Sequence, residues 1–411
     1  MRRMLLFALC ILGTGFLPGE VIANPQYDEL SKQAAEYKAK GDWANLEAVM
    51  SKALKLDSSD EYVGRTYSWA QMLQGKTEEA VKSAQENVRR HPCGWSYEQL
   101  AEAYWSNADT EAARSAVLQA LAMEKKQKSG AYDTAKATYD RLARKHYHFE
   151  FTIDPETKPT GPEFVMGVPT LSNDHQSGIY KVVNAQSVKE FHDPGGNLLL
   201  RVVRKGNETF QLVVDMIVVP YSMKSRFSAR SAAPLPDDLK VYLGKAMVWH
   251  SWGLIDPSSK LLKETVKPLK SQDDVQTVRN IAKWMSRIRY QEIVYQSVDD
   301  VIIKGYGHCD ATASLMTGLC RAAGIPARNL RIATMEAAKE SGTLGGHSMC
   351  EVYIKGVGWT PVNPGDPMGL GRCDSNWIRM FDYGFEGSDI RLFNLGNLDR
   401  AKTSFSMHYE E

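Results

Sequence analysis

Three spacings of apolar residues follow one another along the chain, and each predicts a different kind of element. From Tyr27 to about Lys145 the apolar positions recur at three and four residues, the spacing of one helix face. GDWANLEAVMSKAL from Gly41, GKTEEAVKSAQENV from Gly75 and ADTEAARSAVLQAL from Ala108 begin 34 and then 33 residues apart. Each follows an aromatic-rich helix, such as the one carrying Tyr97, Leu100, Ala101 and Tyr104, and a further helix is expected around Tyr132 to Leu142. Between His146 and about Leu243 the period shortens: HFEFTID, EFVMGVP, NLLLRVVRK and FQLVVDMIVVP are short runs rich in Val, Ile and Phe, separated by Pro, Gly and Asn. They predict antiparallel strands, with Lys205-Gly206-Asn207 as a hairpin turn. Beyond that, helical and strand spacings mix. A capping box at Ser271-Gln272-Asp273-Asp274 opens a helix with Val275, Val278, Ala282, Met285 and Ile288 on one face.

The last mixed stretch holds the chemistry. In GYGHCDATASLMTGLCRAAGIPAR, from Gly305, the positions Ala311, Leu315, Leu319 and Ala323, with Met316 and Cys320 beside them, form one helix face; Gly324 and Pro326 stop it. The helix starts near Cys309, where unpaired backbone N–H groups and the helix dipole favour a thiolate. His347 to Ile354 then alternates as a strand, Lys355 to Gly358 reads as a turn, and Trp359 to Val362 as a return strand. With the register centred near Lys355, His347 lies opposite Asn363 on one face, with Cβ atoms about 4.5–5.5 Å apart. The amide oxygen of Asn363 can then fix the imidazole tautomer and leave the other nitrogen for Cys309. His308 adjoins the thiol in sequence but, at a helix entry, is expected to point elsewhere. Tyr290, Trp284, Arg287 and Arg289 read as core edge and solvated face.

These two segments resemble the transglutaminase-like superfamily, whose core is papain-like. The resemblance rests on a Cys opening a helix that ends in AAGIPAR, on HSMCEVY from His347, on GWTPVNPGD, and on IDPSSK at Ile255 to Lys260; it runs from Leu254 to about Asp366. It implies that Cys309 is the nucleophile and His347 the base, with Asn363 where the family normally has Asp. Asp366, three residues on, is the alternative orienter. The resemblance implies a cysteine hydrolase or acyltransferase that forms a thioester, with hydrolysis expected over lysine crosslinking and no cofactor or metal. A protein in which the core is silent and the repeats bind a partner is the alternative from another class. The 33–34-residue period resembles tetratricopeptide repeats, which implies a short solenoid able to dock a protein partner. Two features depart from that pattern: Asn87 stands where a small residue is expected, and only the second unit has a closing proline, Pro92.

Composition narrows the classes. The 411 residues are 43% hydrophobic and 24% charged with a net charge of +1, an ordinary globular balance that argues against a nucleic-acid partner. MRRMLLFALCILGTGFLPGEVIANP has a basic start, a short apolar run and a small-residue site, so residues 1–23 read as an export signal cut after Ala23. The mature chain is expected to be periplasmic or extracellular, with no integral membrane segment. It keeps Cys93, Cys309, Cys320, Cys350 and Cys373, an odd number consistent with one free reactive thiol; Cys350 and Cys373 are a candidate disulfide. No CxxC or HxxxH pair points to zinc. The reading is thus an α+β multidomain chain: a signal at 1–23, tetratricopeptide-like helices at 24–145, a β-sandwich-like domain at 146–243, and a transglutaminase-like catalytic domain at 244–411 with a protein or peptide as substrate. The stretch after Asp366 has poor periodicity and receives no assignment.

Overall fold

The helical spacing near the N-terminus becomes seven helices: α1 (Pro25–Lys40), α2 (Trp43–Leu56), α3 (Glu61–Leu73), α4 (Thr77–Arg90), α5 (Gly94–Ser106), α6 (Thr110–Gln127) and α7 (Tyr132–Leu142). The structure, a computed structural model, describes residues 25–57, 59–153, 163–206, 208–222, 234–247, 254–292, 296–335, 345–366, 369–384 and 402–409. The export signal therefore lies outside the described residues. Among those described, no helix is long and apolar enough to cross a membrane. The chain divides into two compact units, Met1–Tyr139 and Asp140–Glu411.

In the first unit the repeat is visible in the backbone. The residue that turns α1 into α2, α3 into α4 and α5 into α6 has a positive φ each time: +67° at Gly41, +78° at Gly75 and +62° at Ala108. Asp42 and Asp109 then cap α2 and α6, accepting from the N–H of Asn45 and of Ala112. Asn87 is accommodated from the other side. It is buried against Gly64, where a Cβ would come within 2.2 Å of its Oδ1, so the small residue the packing needs sits on α3 instead of α4. Ala108 is the one turn residue of the three that carries a Cβ in the left-handed region, at a cost of about 1 kcal/mol. Ala108→Gly is therefore expected to stabilise the repeats by about 0.5–1 kcal/mol, read as a higher midpoint in urea.

The second unit runs β1 (Lys145–Ile153), β2 (Glu163–Gly167), β3 (Gln176–Val183), β4 (Ala185–His192), β5 (Leu198–Arg204), β6 (Phe210–Val218), α8 (Lys260–Val266), α9 (Asp274–Met285), α10 (Val298–Lys304), α11 (Cys309–Ala323), β7 (Ala327–Thr334), β8 (Gly345–Ile354), β9 (Gly358–Val362), β10 (Trp377–Tyr383) and β11 (Lys402–Tyr409), with several two-residue bridges. Strand β6 shows why a sheet forms here: Phe210, Leu212, Val214, Met216 and Val218 are all buried and alternate with half-buried residues. It lies in an antiparallel sheet of order β11-β1-β6-β3, while β2-β5-β4 makes a second sheet. Strands β5 and β6 thus belong to different sheets, and Lys205-Gly206 turns the chain between sheets rather than closing a hairpin; Asn207 lies outside the described residues. The apolar side chains of both sheets join those of the C-terminal core in one cluster.

That core is an antiparallel sheet, β9-β8-β7-β10, with α11 packed against β8 and held by α8, α9 and α10. Helix α9 begins as expected, but its cap is Asp273, which accepts from the N–H of Val275 at 2.9 Å, and not Ser271. The stretch left unassigned by periodicity supplies two strands: β10 extends the core sheet beside β7, and β11 returns to pair with β1. All five cysteines of the described residues are free thiols. Cys350 faces α11, where it accepts from the Thr317 hydroxyl at 3.3 Å, and Cys373 lies on a bridge to Tyr221, so the disulfide expected between them is not formed.

Candidate active site

The first turn of α11 is where the core brings its reactive groups together. His308 is the N-cap, with φ −75° and ψ 164°, and Cys309 is the first helical residue. An N-cap side chain folds back over the turn it closes, so His308 does not point away as its sequence position suggested. Its Nδ1 lies 3.5 Å and its Nε2 3.8 Å from the Cys309 sulfur. Nδ1 is also 3.5 Å from the N–H of Asp310 and 3.2 Å from Asp310 Oδ2. One nitrogen cannot serve both. Unprotonated it accepts the backbone cap; protonated it donates to the carboxylate.

Electrostatics choose the second state at neutral pH. The hydrogen bond to Asp310, reinforced by Cys309 and opposed by burial, pushes the His308 imidazole up to about 10. Burial raises the Asp310 carboxyl, yet His308, Arg331 and Ser348 outweigh it and hold the group well below the usual carboxylate range. Arg331 Nη1 donates to Asp310 Oδ1 at 3.1 Å and the Tyr383 hydroxyl at 3.2 Å, and Ser348 Oγ donates to the same oxygen. Burial also pushes the Cys309 thiol up, but its interactions with His308 and His347 win and bring it down to about 7. The thiolate is thus favoured over that of an ordinary cysteine, beside an imidazolium.

His347 reaches the sulfur from β8 and is oriented from behind. Its Nε2 lies 3.2 Å from Asn363 Oδ1, which accepts the ring N–H and leaves Nδ1 as the nitrogen that can exchange a proton with Cys309. The contact is diagonal and not directly opposed. The β8–β9 ladder pairs Cys350 with Val362 and Ile354 with Gly358, so it centres on Gly356, and the expected register is shifted by two residues. Gly356 and Gly358 both have positive φ, which lets the turn centre on Gly356. Asn363 itself opens a turn through Pro364 and Gly365, closed by the Asp366 N–H donating to the Asn363 carbonyl at 3.1 Å. Asp366 turns its carboxylate to Arg372, 3.6 Å away.

The structure thus gathers Cys309, His347 and Asn363, and adds residues that sequence reasoning passed over. His308 and Asp310 lie on either side of the thiol in sequence; an acid in the first helical turn had an ordinary reading as a dipole partner. Tyr290 also closes in: a parallel bridge from Arg289–Tyr290 to Tyr306–Gly307 sets its ring 5.9 Å from that of His308, while it stays 55% exposed. Iodoacetamide should alkylate Cys309 with a pH midpoint near 7. His308→Asn, which keeps a capping side chain, should move that midpoint up by about a unit or more, to or beyond that of an ordinary cysteine.

Residues 263–364 match the family model of the transglutaminase-like superfamily. No curated protein matches the chain. Among solved structures, a candidate cysteine protease from Cytophaga hutchinsonii is 19% identical, with 65% of this chain and 89% of that one covered and a TM-score of 0.41. The TPR2B domain of yeast Sti1 in complex with pHsp70 is 17% identical, covers 28% of this chain and 94% of that one, and has a TM-score of 0.27. The Yersinia enterocolitica type III secretion translocator chaperone SycD is 16% identical, covers 29% and 93%, and has a TM-score of 0.26. The chain therefore carries a transglutaminase-like domain at residues 263–364 and a run of seven helices at its N-terminal end, in a mixed α and β fold.

Proposed function

We propose that this chain is an exported thiol-dependent amide hydrolase, a cysteine protease or amidase acting on protein or peptide substrates. One observation carries the reading: a thiol at the first position of a helix, within 3.5 Å of one imidazole and facing a second whose far nitrogen is held by an amide oxygen. The Cys309 thiolate attacks the amide carbon, and the oxyanion is met by the Cys309 N–H, which has no partner within the helix. His347, protonated by the thiol, gives that proton to the leaving amine as the C–N bond breaks, leaving a thioester. His347 then takes a proton from water, the hydroxide adds, the C–S bond breaks, and a carboxylate leaves with the thiol restored. Water is favoured over a lysine amine because transfer requires a channel that admits the amine and excludes solvent. The helical repeats serve to bind a protein, and the N-terminal signal pattern carries the chain to the periplasm or the exterior.

Asn363 orients His347 in this scheme. Asn363→Ala should lower kcat roughly 10- to 100-fold, the range for an outer group that positions a working imidazole, and Asn363→Asp should preserve or raise it. An unchanged rate in Asn363→Ala, with loss in Asp366→Ala, would move the role to Asp366. Incubation with casein and a labelled primary amine tests the reaction class. Fragments without label are expected; label incorporated without fragments would make the enzyme a transferase.

A further inference from the structure

Among the described residues, one group of three His, Cys, Asp or Glu side chains offers ligand atoms that all lie within 4.8 Å of one another: His308, Cys309 and Asp310. The separations are 3.5 Å from Nδ1 to Sγ, 3.2 Å from Nδ1 to Oδ2, and 3.9 Å from Sγ to Oδ2. A tetrahedral zinc ion, with bonds of about 2.3 Å to sulfur and 2.0–2.2 Å to nitrogen and oxygen, sets the corresponding edges at about 3.6, 3.4 and 3.6 Å. Each observed edge is within about 0.3 Å of its counterpart, so the donor atoms stand at zinc-ligand spacing; with Nε2 also 3.8 Å from the sulfur, the ring lies over the sulfur and turns about its Cβ–Cγ bond to aim Nδ1 at the ion. The outer groups are in place as well. Asp310 Oδ1 is fixed by Arg331, Tyr383 and Ser348, which leaves Oδ2 to face the sulfur and the imidazole. His347 is not one of this group, so the fourth position of a tetrahedral ion is left to water.

We propose that His308, Cys309 and Asp310 form a three-residue binding site for a thiophilic divalent cation, zinc above all, which masks the thiol and holds the protein inactive until the metal is withdrawn. Sulfur and nitrogen donors select zinc over calcium or magnesium, whose ligands are oxygens. On binding, the ion takes the place of the proton between His308 and Asp310 and of any proton on the sulfur. The inhibitory consequence rests on Cys309 being the nucleophile; the metal site itself does not.

Cobalt(II) added to the full purified chain tests the site by its spectrum, independent of any turnover. A thiolate-to-cobalt charge-transfer band should grow to one equivalent and be abolished by zinc, and zinc should slow iodoacetamide alkylation of Cys309 at least tenfold until a chelator restores it. Cys309→Ser should lose the band. His308→Asn, which keeps the helix cap and so the fold, should weaken cobalt binding at least tenfold while its thiol still alkylates. Cobalt bound without the band, as at the exposed His146 and His408 pair, would overturn the proposal, and so would a band of unchanged affinity in His308→Asn. A band that behaves as expected in a protein that cleaves no amide would uphold the metal site and remove only the hydrolase reading.

Discussion

Replacing Cys309 by alanine should abolish amide cleavage, and His347→Ala should lower kcat by on the order of 10⁴ or more, with the double variant no worse than either alone. Groups that act as one nucleophilic unit fail together, because removing any member leaves only binding and oxyanion stabilisation. The site holds two imidazoles on one sulfur, so the experiment must separate them, and pH does so. His308 acts by keeping the sulfur ionised. In His308→Asn, raising the pH ionises the thiol by other means, and turnover should recover as it does. His347 also has to hand a proton to the leaving amine, and hydroxide cannot replace that, so His347→Ala should stay slow at every pH. The measurement is kcat against pH for a peptide amide in the three single variants. A His347→Ala protein rescued at high pH, with His308→Asn permanently slow, would exchange the two roles.

Much of this was legible in the chain. The helical spacing that starts at Cys309 and the alternation that starts at His347 give their elements directly, and proximity in the fold follows from a helix packed on a hairpin. What was not legible depended on distance or on a single turn. Asp310 is organised by Arg331, Ser348 and Tyr383, which lie 21, 38 and 73 residues away, and Tyr383 stands in a stretch whose Gly content hides its strand. The direction of His308 follows from its cap dihedrals and not from its neighbours in sequence. The hairpin register depended on whether Gly356 and Gly358 turn left-handed, and a local pattern that marks a turn does not count the residues it uses. The same holds for Lys205-Gly206, where a turn signal was correct and its two strands lie in different sheets.

The largest loss of stability is expected in Glu351→Ala, on the strand that carries His347. Glu351 accepts from Arg328 Nε at 3.0 Å and Nη2 at 2.9 Å, and from Arg379 Nη2 at 2.8 Å, while both guanidiniums also reach Asp382, at 2.8 and 2.6 Å. Two cations and two anions balance within the fold, and Arg328 lies over the Trp359 ring at 4.1 Å. Burial raises the Glu351 carboxyl, but the two guanidiniums outweigh it and hold the group below the ordinary glutamate range. A depressed carboxyl contributes stability that is fully present above the unfolded pKa, about 4.3, and is lost as pH falls through the folded value. Removing it at neutral pH leaves two buried cations facing one anion, a change that costs about 3–5 kcal/mol when a buried pair loses a partner. Against a total of about 5–15 kcal/mol, this should lower the midpoint of the second unit by on the order of 10 °C in calorimetry. The quartet also lines a cavity of about 490 Å³. If water in that cavity solvates the arginines, the loss will be under about 1 kcal/mol, the range for an exposed pair, and Glu351→Gln will match wild type. If the charges are dry, Glu351→Gln keeps the shape and an acceptor but not the charge, and should fall close to Glu351→Ala.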